Sequence, residues 1–330
     1  MSTSTQPLTT IQTRGHRKRK LADRLIAAHR RGRPRPEARS DENHIRIVCI
    51  ADTHNKRPAV LDGDIVIHAG DLTENGSFDE MQEGLRWLSS LPHAHKVLVA
   101  GNHDLLLDDA FLAKYPERRY GHEKTRHDLD WGDVVYLQDS AVTLEIPRVE
   151  PGEGAHDGTP EADRPGVRRI TIFGSPWTPK YGISAFQYPP NNTTHWENVF
   201  QDIPKDIDII ITHGPPRLHL DKRDFHRAGC PYLAEEIYRI RPRLNVFGHI
   251  HASYGREDVV LDGVESAYQT VMIGWAGWGT ILWMGIKVAV GRVKKSLGLP
   301  GSGKTTSFVN AAAVGGPSNE LRNDPIVFDM

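Results

Sequence analysis

Ten short apolar runs, each 4 to 6 residues long and rich in β-branched residues, constrain the fold of this 330-residue chain more than any other feature. They occupy residues 45–50, 64–69, 96–100, 134–137, 141–146, 169–173, 206–211, 243–247, 307–311 and 325–328. Runs that are apolar at nearly every position are typical of strands buried on both faces of a sheet. The chain is therefore expected to build its core on β-sheets that are covered on both sides.

Two segments between these runs have the pattern of amphipathic helices. The segment 77–91 begins with Ser77 and Glu80 at capping-box spacing and places Met81 and Leu85 on one face. The segment 231–241 is a second candidate helix. Strands that alternate with helices predict an α/β domain.

The first 40 residues differ in charge from the rest of the chain, with 11 Lys/Arg against 2 Asp/Glu. We interpret residues 1–42 as a disordered basic leader. An amphipathic basic helix, a targeting address and a patch for anionic membrane are the alternatives. A second irregular stretch, residues 148–168, is rich in Gly, Pro and charge and predicts a mobile insertion between two strands.

The stretch 271–286 runs for 16 residues without a charge and contains three tryptophans. As a helix it would cover roughly 24 Å, which is less than the ~30 Å hydrocarbon core of a membrane, so a simple span is not expected. Two interpretations stay open: a peripheral membrane contact through 271–295, or a buried helix or hairpin that covers the sheet.

Cysteine content and the first residues bear on the compartment. Cys49 and Cys230 are too few for a disulfide framework. The opening "MSTSTQPLTT" lacks the apolar core of a secretory signal. We expect a cytoplasmic protein. If residues 271–295 contact a membrane, the protein would be associated with that membrane.

Polar clusters follow five of the apolar runs, and each cluster contains Asp, Asn or His. In order they are Asp52-Thr53-His54, Gly70-Asp71, Gly101-Asn102-His103-Asp104, Thr212-His213-Gly214 and His249 with His251. Any one of them alone is more often a turn or a structural histidine. Five in succession at the ends of strands indicate a binding site, because open α/β sheets gather ligand-binding residues there. Imidazole nitrogen with carboxylate or amide oxygen suits Mn, Fe, Zn or Mg.

This order of clusters resembles the calcineurin-like metallophosphoesterase superfamily, with its D-x-H, G-D, G-N-H-D, single His and G-H-x-H motifs. The strings "DIVIHAGDLTENG", "VLVAGNHD", "THGPP" and "VFGHIH" look like the MPPED-like, or fetal-brain, metallophosphoesterase-domain group within it. The resemblance covers residues 45–270 and the final strands. It implies an α/β fold, a β-sandwich of two mixed sheets flanked by helices, over residues 43–330 with insertions at 148–168 and 271–305.

The resemblance also implies two divalent metal ions, of identity Mn, Fe, Zn or Mg, that share Asp71. The ligands of one would be Asp52, His54, Asp71 and His251, and those of the other Asp71, Asn102, His213 and His249. His103 would not be a ligand but would lie over the substrate phosphate and protonate the leaving group. Asp104, the next residue, is its expected orienting partner.

The expected function is hydrolysis of a small phosphodiester, such as a cyclic nucleotide, by attack of a metal-bound hydroxide. A phosphomonoesterase, including a protein Ser/Thr phosphatase, and a membrane-recruited scaffold with a nearly idle metal centre are the alternatives. Lys and Arg do not cluster near the strand ends, so we expect a small phosphoester as partner and no nucleic acid polymer.

Two further motifs have more than one interpretation. "GLPGSGKT" at 298–305 fits the P-loop pattern, but no strand is expected before it, so we interpret it as a connector. Trp177, Pro179, Tyr181 and Phe186 would either wall a nucleobase pocket or fill the core.

Overall fold

The structure, a computed structural model of the chain, describes residues 10–31, 44–121, 123–147, 166–204, 206–224, 226–298 and 303–330. Within these ranges the helices are α1 (Thr10–Arg30), α2 (Phe78–Ser90), α3 (Asp109–Lys114), α4 (His195–Val199), α5 (Pro231–Ile240), α6 (Gly263–Ile273) and α7 (Trp278–Ser296). Short 3-10 helices lie at Leu105–Leu107, Pro116–Arg119, Arg126–Asp128 and His251–Ser253.

The strands of the same ranges are β1 (Arg46–Ile50), β2 (Ile65–Ala69), β3 (His95–Val99), β4 (Val134–Leu137), β5 (Ser140–Pro147), β6 (Val167–Ser175), β7 (Thr178–Pro179), β8 (Gln187–Tyr188), β9 (Ile209–Thr212), β10 (Lys222–Arg223), β11 (His226–Arg227), β12 (Leu244–Phe247), β13 (Gly255–Leu261), β14 (Lys304–Asn310), β15 (Val314–Gly315), β16 (Glu320–Leu321) and β17 (Ile326–Asp329). Each of the ten apolar runs overlaps a strand.

The chain divides into two compact units. The helical unit comprises residues 1–37 and 258–305, and the sandwich unit comprises residues 38–257 and 306–330.

Two large mixed sheets form the β-structure, as the fold prediction requires. The first has the strand order β17-β1-β2-β3-β4, in which β1 to β4 run parallel and β17 is antiparallel. The second has the order β13-β14-β12-β9-β6-β5, with β5 antiparallel to β6 and with β6, β9, β12 and β14 parallel. The predicted α/β sandwich of two mixed sheets flanked by helices is confirmed.

Strand β1 shows why the runs are apolar throughout. Ile47 and Cys49 belong to a core that also contains Ile211 of the second sheet, whereas Val48 and Ile50 belong to a separate cluster. Alternate side chains of a strand point to opposite faces. Both faces of the first sheet are therefore buried at residues 47–50 of β1, where a polar side chain would lose its contact with water.

Helix α2 covers part of the first sheet and begins with the predicted capping box. Ser77 Oγ accepts a hydrogen bond from the Glu80 backbone N–H at 3.3 Å, and Glu80 Oε2 accepts one from the Ser77 N–H at 3.1 Å. Met81 and Leu85 then pack in one cluster with Leu98 of β3. The cap fixes where the helix starts and thus which residues face the sheet.

Helices α1, α6 and α7 make up the helical unit. Ala22 and Ile26 of α1 pack with Val264 of α6 and with Ile281 and Met284 of α7. The disorder that we predicted for the leader is wrong for residues 10–31, because the two apolar residues one turn apart find partner helices more than 230 residues later. Residues 1–9 and 32–42 of the leader lie outside the described residues.

Polar contacts also hold α1 in the helical unit. The Arg30 guanidinium donates to both carboxylate oxygens of Glu265 at 2.6 and 2.7 Å, and His29 Nε2 lies 2.8 Å from Asp262 Oδ2. A bidentate pair of this kind fixes orientation as well as distance.

The uncharged stretch 271–286 is two helices and not one. Helix α6 ends at Gly274, whose φ of +101° is open to glycine at little cost, and α7 begins four residues later. Val271, Ile281 and Met284 are buried in the helical unit, which agrees with the buried-helix interpretation for one face. Among the described residues, no helix is long and apolar enough to cross a membrane.

The two remaining irregular segments frame strands. Of the predicted insertion 148–168, residues 148–165 lie outside the described residues, and Val167 opens β6. Before the P-loop-like motif the chain is helical to Ser296, and after it Lys304–Asn310 is a strand. That order is the reverse of a P-loop, which agrees with the interpretation as a connector.

Candidate metal centre

The five polar clusters follow five parallel strands of the two sheets. Asp52, Asp71 and Asn102 stand directly after or within three residues of β1, β2 and β3, and His213 and His249 follow β9 and β12. The structure brings their side chains together in three sets of donors: Asp52, His54 and His251; His54, Asp71 and His103; and Asp71, His213 and His249. Within each set the donor atoms lie within 4.8 Å of one another.

The backbone is left-handed at four of these positions. The φ angles are 50° at Asp52, 46° at His54, 53° at Asp71 and 67° at His249. Such angles are uncommon for residues other than glycine, are best tolerated by Asn, Asp and His, and cost about 1–3 kcal/mol each. Strain of this kind concentrates at functional sites.

Two glycines of the motifs are required by close approach to carboxylates. A Cβ on Gly101 would collide with the Asp71 carboxylate, and one on Gly248 would collide with the Asp52 carboxylate. These contacts give a physical reason for glycine at the start of G-N-H-D and of G-H-x-H.

The Asp52 carboxylate joins the loops after β1 and β12. Both of its oxygens accept from the His249 backbone N–H at 2.9 Å, and His251 Nε2 lies 3.3 Å from Oδ1. Burial favours the neutral acid, yet the hydrogen bond and charge of His251 hold the pKa of Asp52 below its usual value. An ionised carboxylate is the form that binds a cation.

His54 is buried, and within the described part of the chain neither of its ring nitrogens has a hydrogen-bond partner. Nδ1 lies 3.2 Å from Glu74 Oε2 but without hydrogen-bond geometry, and Nε2 lies 3.8 Å from Asp71 Oδ2. Buried polar atoms are nearly always paired, because an unpaired one costs free energy. A cation between His54 Nε2 and the carboxylates would satisfy this nitrogen.

His213 is held so that one ring nitrogen faces two oxygens. Nδ1 lies 3.0 Å from the carbonyl oxygen of Ala69, to which it donates, and Nε2 lies 3.0 Å from Asn102 Oδ1 and 3.3 Å from Asp71 Oδ2. Burial opposes a charged ring, but the charge of Asp71 and the hydrogen bond to it raise the pKa of His213 to about 9. A divalent cation at this point would displace the Nε2 proton and take the nitrogen and the two oxygens as ligands, and a carbonyl on the far nitrogen is the usual way to orient such a ligand.

Asp71 lies between the donor sets. Its Oδ2 faces both His54 and His213, while Oδ1 accepts from the His103 backbone N–H at 2.7 Å. Burial would raise its pKa, but the charges of His213, His103 and His54 keep the pKa of Asp71 well below the usual value. It is the one carboxylate that occurs in two of the three donor sets.

The His103 ring is oriented by a backbone carbonyl. Nδ1 lies 2.6 Å from the Glu74 carbonyl oxygen and donates to it, which leaves Nε2 as the free ring nitrogen. Burial opposes protonation, but the charge of Asp71 and the Glu74 carbonyl raise the pKa of His103 above its usual value.

The orienting role that we predicted for Asp104 is wrong. Its carboxylate accepts from the backbone N–H groups of Gly101 (2.8 Å), Thr73 (3.0 Å) and Leu72 (3.3 Å) and from the Thr73 hydroxyl (2.8 Å). Buried backbone donors must be paired, and the carboxylate is fully committed to them. Asp104 therefore ties the loops after β2 and β3 together.

Two residues of the site, Glu74 and Ser184, were not predicted from the sequence. Glu74 supplies the carbonyl for His103, and its position three residues after Asp71 in "DLTENG" was the available signal. Ser184 Oγ accepts from Asn102 Nδ2 at 3.3 Å and donates to the Asn102 carbonyl at 2.5 Å, which turns the amide oxygen towards His213. No motif marks Ser184, since it lies 82 residues further along.

A cavity of about 280 Å³ adjoins the donor sets and shares His249 with them. Trp177, Pro179 and Tyr181 line it, as the pocket interpretation predicts. Phe186 does not, because it is buried in the core beneath Trp177. The cavity is also lined by Lys180, Arg223 and His226, and none of its described lining residues is acidic.

These observations define the class first: an α/β sandwich with nitrogen and oxygen donors grouped to hold divalent metal. A family model described as calcineurin-like phosphoesterase matches residues 45–253, and the chain belongs to that family. The resemblance found in the sequence is confirmed. The family uses a dinuclear divalent metal centre, and the donor sets described above suit one.

Three relatives show how the match extends. The chain is 37% identical over 294 residues to probable rhamnogalacturonate lyase C of Emericella nidulans, across 88% of this chain and 25% of that protein. It is 34% identical over 246 residues to metallophosphoesterase domain-containing protein 1 of Homo sapiens, across 69% of this chain and 66% of that protein. To UPF0046 protein K07C11.7 of Caenorhabditis elegans it is 32% identical over 225 residues, across 64% of this chain and 65% of that protein. The chain thus spans a quarter of the first relative and just under two thirds of the others.

Proposed function

We propose that this chain hydrolyses phosphoric esters and that its substrate is a small phosphodiester of the cyclic-nucleotide type. The observation that carries the hydrolase proposal is His54, which is buried beside Asp71 and whose Nε2 has no hydrogen-bond partner among the described residues. A site that serves only the fold would give this nitrogen a hydrogen-bond partner or have an apolar side chain in place of the ring. The predicted ligands Asp52, His54, Asp71 and His251, and Asp71, Asn102, His213 and His249, all lie at this site.

Each residue type has a task in such a reaction. Two divalent ions, when bound, supply positive charge for the phosphate oxygens and activate the attacking water. Asp71, which occurs in two of the three donor sets, is the residue that would bind both ions. His103 presents Nε2 because Nδ1 is held by the Glu74 carbonyl, and Nε2 is the atom that would give its proton to the leaving oxygen.

The adjoining cavity supports the choice of a small anionic diester. Its volume of about 280 Å³ suits a mononucleotide-sized group, and Lys180 and Arg223 add positive charge to the walls. Tyr181 is 57% exposed there and offers a ring on which a base would stack. A phosphoprotein substrate would need an open groove instead.

Turnover by metal-reconstituted protein tests the proposal. We expect hydrolysis of bis(p-nitrophenyl) phosphate and of 2',3'- or 3',5'-cyclic nucleotides in Mn²⁺, and loss of both with Asp71→Asn. If p-nitrophenyl phosphate or phosphopeptides were hydrolysed faster than these diesters, the protein would be a phosphomonoesterase and not a diesterase. Metal-loaded protein without turnover of any ester would favour a scaffold.

The cavity is tested separately by Tyr181→Ala. This variant should raise KM for a cyclic nucleotide about tenfold and leave kcat for bis(p-nitrophenyl) phosphate unchanged. Tyr120→Ala, which removes an exposed tyrosine outside the cavity, is the matched control. Equal KM values for the two variants would show that the cavity does not bind the substrate.

A further inference from the structure

Helix α7 is apolar on two opposite faces. Ile281, Met284 and Val288 pack into the core of the helical unit. Six large apolar residues, here called the α7 stripe, lie on the other side with 45% to 68% of their surface exposed. They are Trp278, Leu282, Ile286, Val290, Val293 and Leu297. The packing of the helical unit uses one face of α7 and leaves the α7 stripe to solvent.

The stripe is continuous. Its members are spaced by four, four, four, three and four residues, which at 3.6 residues per turn places them within an arc of roughly 120°. From Trp278 to Leu297 the helix rises roughly 28 Å. Contiguous apolar surface of this extent on a folded unit marks an interaction site, whereas single exposed apolar residues do not.

The charges around the stripe have one sign. Lys287, Arg292 and Lys294 of α7 are exposed, and residues 266–298 contain no Asp or Glu. Over residues 10–31 and 258–298 of the helical unit, 12 lysines and arginines stand against 4 aspartates and glutamates. The partner that complements an apolar stripe flanked by cations is an apolar surface that carries anions.

Trp283 and Lys287 illustrate the fit to a lipid headgroup region. The Lys287 ammonium lies 5.3 Å from the centre of the Trp283 indole, and the ring is 39% exposed at the border of the stripe. Tryptophan prefers the membrane interface, and lysine extends its charge to the headgroups while its carbon chain covers apolar surface.

A second copy of α7 is a poorer partner for the same stripe. Helices that paired through it would place Lys287, Arg292 and Lys294 of one copy near the like charges of the other without an acid on α7 to offset them. Anionic headgroups relieve that repulsion, and each basic residue near such a surface adds to binding.

We propose that the α7 stripe docks the protein on the surface of a bilayer that contains anionic phospholipid, with α7 lying in the plane of the interface. Trp278, Leu282 and the residues that continue the stripe enter the boundary between headgroups and acyl chains, and the flanking cations contact the phosphates. The docking does not depend on the metal centre, so it stands or falls apart from the proposed activity.

Vesicle flotation of the full chain tests the proposal, in EDTA so that divalent ions do not bridge protein and lipid. We expect binding to vesicles of phosphatidylcholine with 30% phosphatidylserine, with affinity at least tenfold lower for phosphatidylcholine alone and about tenfold lower in 0.5 M NaCl. Trp278→Glu combined with Leu282→Glu should weaken binding about 100-fold or more, because each large apolar side chain contributes about tenfold. Leu61→Glu, at an exposed leucine of the sandwich unit, should bind like the parent.

A measurement on the unaltered chain guards against a variant that fails to fold. Its tryptophan fluorescence should shift to the blue with phosphatidylserine vesicles and be quenched by lipids brominated near the headgroup. The proposal is overturned if the parent does not float, if it binds both lipid compositions equally, or if the double variant floats like the parent. It is equally overturned if the parent is a dimer, the double variant is a monomer and neither binds vesicles, since a second copy would then be the partner.

Discussion

Replacement of His103 distinguishes two possible roles of this residue, proton donor and metal ligand. Its Nδ1 is 2.6 Å from the Glu74 carbonyl oxygen, so the ring stays in one orientation with Nε2 free. Its donor atom also lies within 4.8 Å of those of His54 and Asp71, a distance that would suit a ligand. His103→Ala removes the ring but keeps the backbone N–H that Asp71 accepts, so the loop after β3 should stay in place.

The size of the loss depends on the leaving group. General acid catalysis contributes about 10²- to 10⁴-fold, or roughly 3–5.5 kcal/mol of transition-state stabilisation. We expect that full loss for a cyclic nucleotide, whose leaving alkoxide needs a proton. For bis(p-nitrophenyl) phosphate the loss should be tenfold or less, because p-nitrophenolate departs without one.

The assay is kcat/KM for both substrates together with the metal content of the purified variant by mass spectrometry. His127→Ala, at an exposed histidine, is the control and should match the parent in all three measurements. Metal content that falls in His103→Ala would make His103 a ligand. A loss of equal size for both leaving groups would refute proton donation.

Three further predictions concern the site and its surroundings. Asp71→Asn should lower metal stoichiometry by two ions and Asp52→Asn by one, as measured by titration calorimetry, and equal losses would contradict the shared role of Asp71. Asp104→Asn should destabilise metal-free protein by about 1–3 kcal/mol in urea unfolding, because an amide NH₂ would face backbone N–H donors, and unchanged stability would contradict the role of Asp104 in tying the loops. Burial lowers the pKa of His195 to about 4 against about 6.5 in the unfolded chain, so protonation favours unfolding and stability should fall as pH drops from about 6.5 to 4. His195→Phe keeps a ring stacked on Tyr188, where the ring centres are 3.8 Å apart, and should reduce the pH dependence of stability measured in thermal melts. The reduction should be less than the roughly 3 kcal/mol expected for a fully buried imidazole. An unchanged pH dependence would show that a different group titrates.

The sandwich was predictable because the burial of its strands is visible in the local sequence. Ile47 and Val48 face opposite sides of the first sheet and both need apolar surroundings, so the run itself shows that both faces are covered. Strand β13 escaped prediction because Gly255–Leu261 begins with polar residues and is only partly buried, as an edge strand permits. Helix α1 was only an alternative to disorder, because Ala22 and Ile26 are buried by α6 and α7, and no local pattern predicts that packing.

The positions of the site residues were predictable, but their hydrogen-bond partners were not. Each motif stands at the end of an apolar run, and the parallel order of the strands carries the ends to one edge. Asp104 follows His103 in sequence, yet its carboxylate turns to backbone donors of two loops, while a carbonyl 29 residues earlier holds the His103 ring. Such choices depend on where loops meet in space.

The ligand carboxylates do two tasks, which links the loops of the centre to one another. Asp71 uses Oδ1 to hold the His103 N–H and turns Oδ2 to the donor sets, and Asp52 accepts the His249 N–H while it faces His251. The loop after β3 thus depends on a side chain after β2, and the loop after β12 on a side chain after β1. These charge-assisted hydrogen bonds help to hold Asp52, Asp71 and His249 in left-handed conformations that each cost about 1–3 kcal/mol. Replacement of either carboxylate therefore removes a ligand and also loosens a second loop, so the effects of ligand substitutions within this centre should not add.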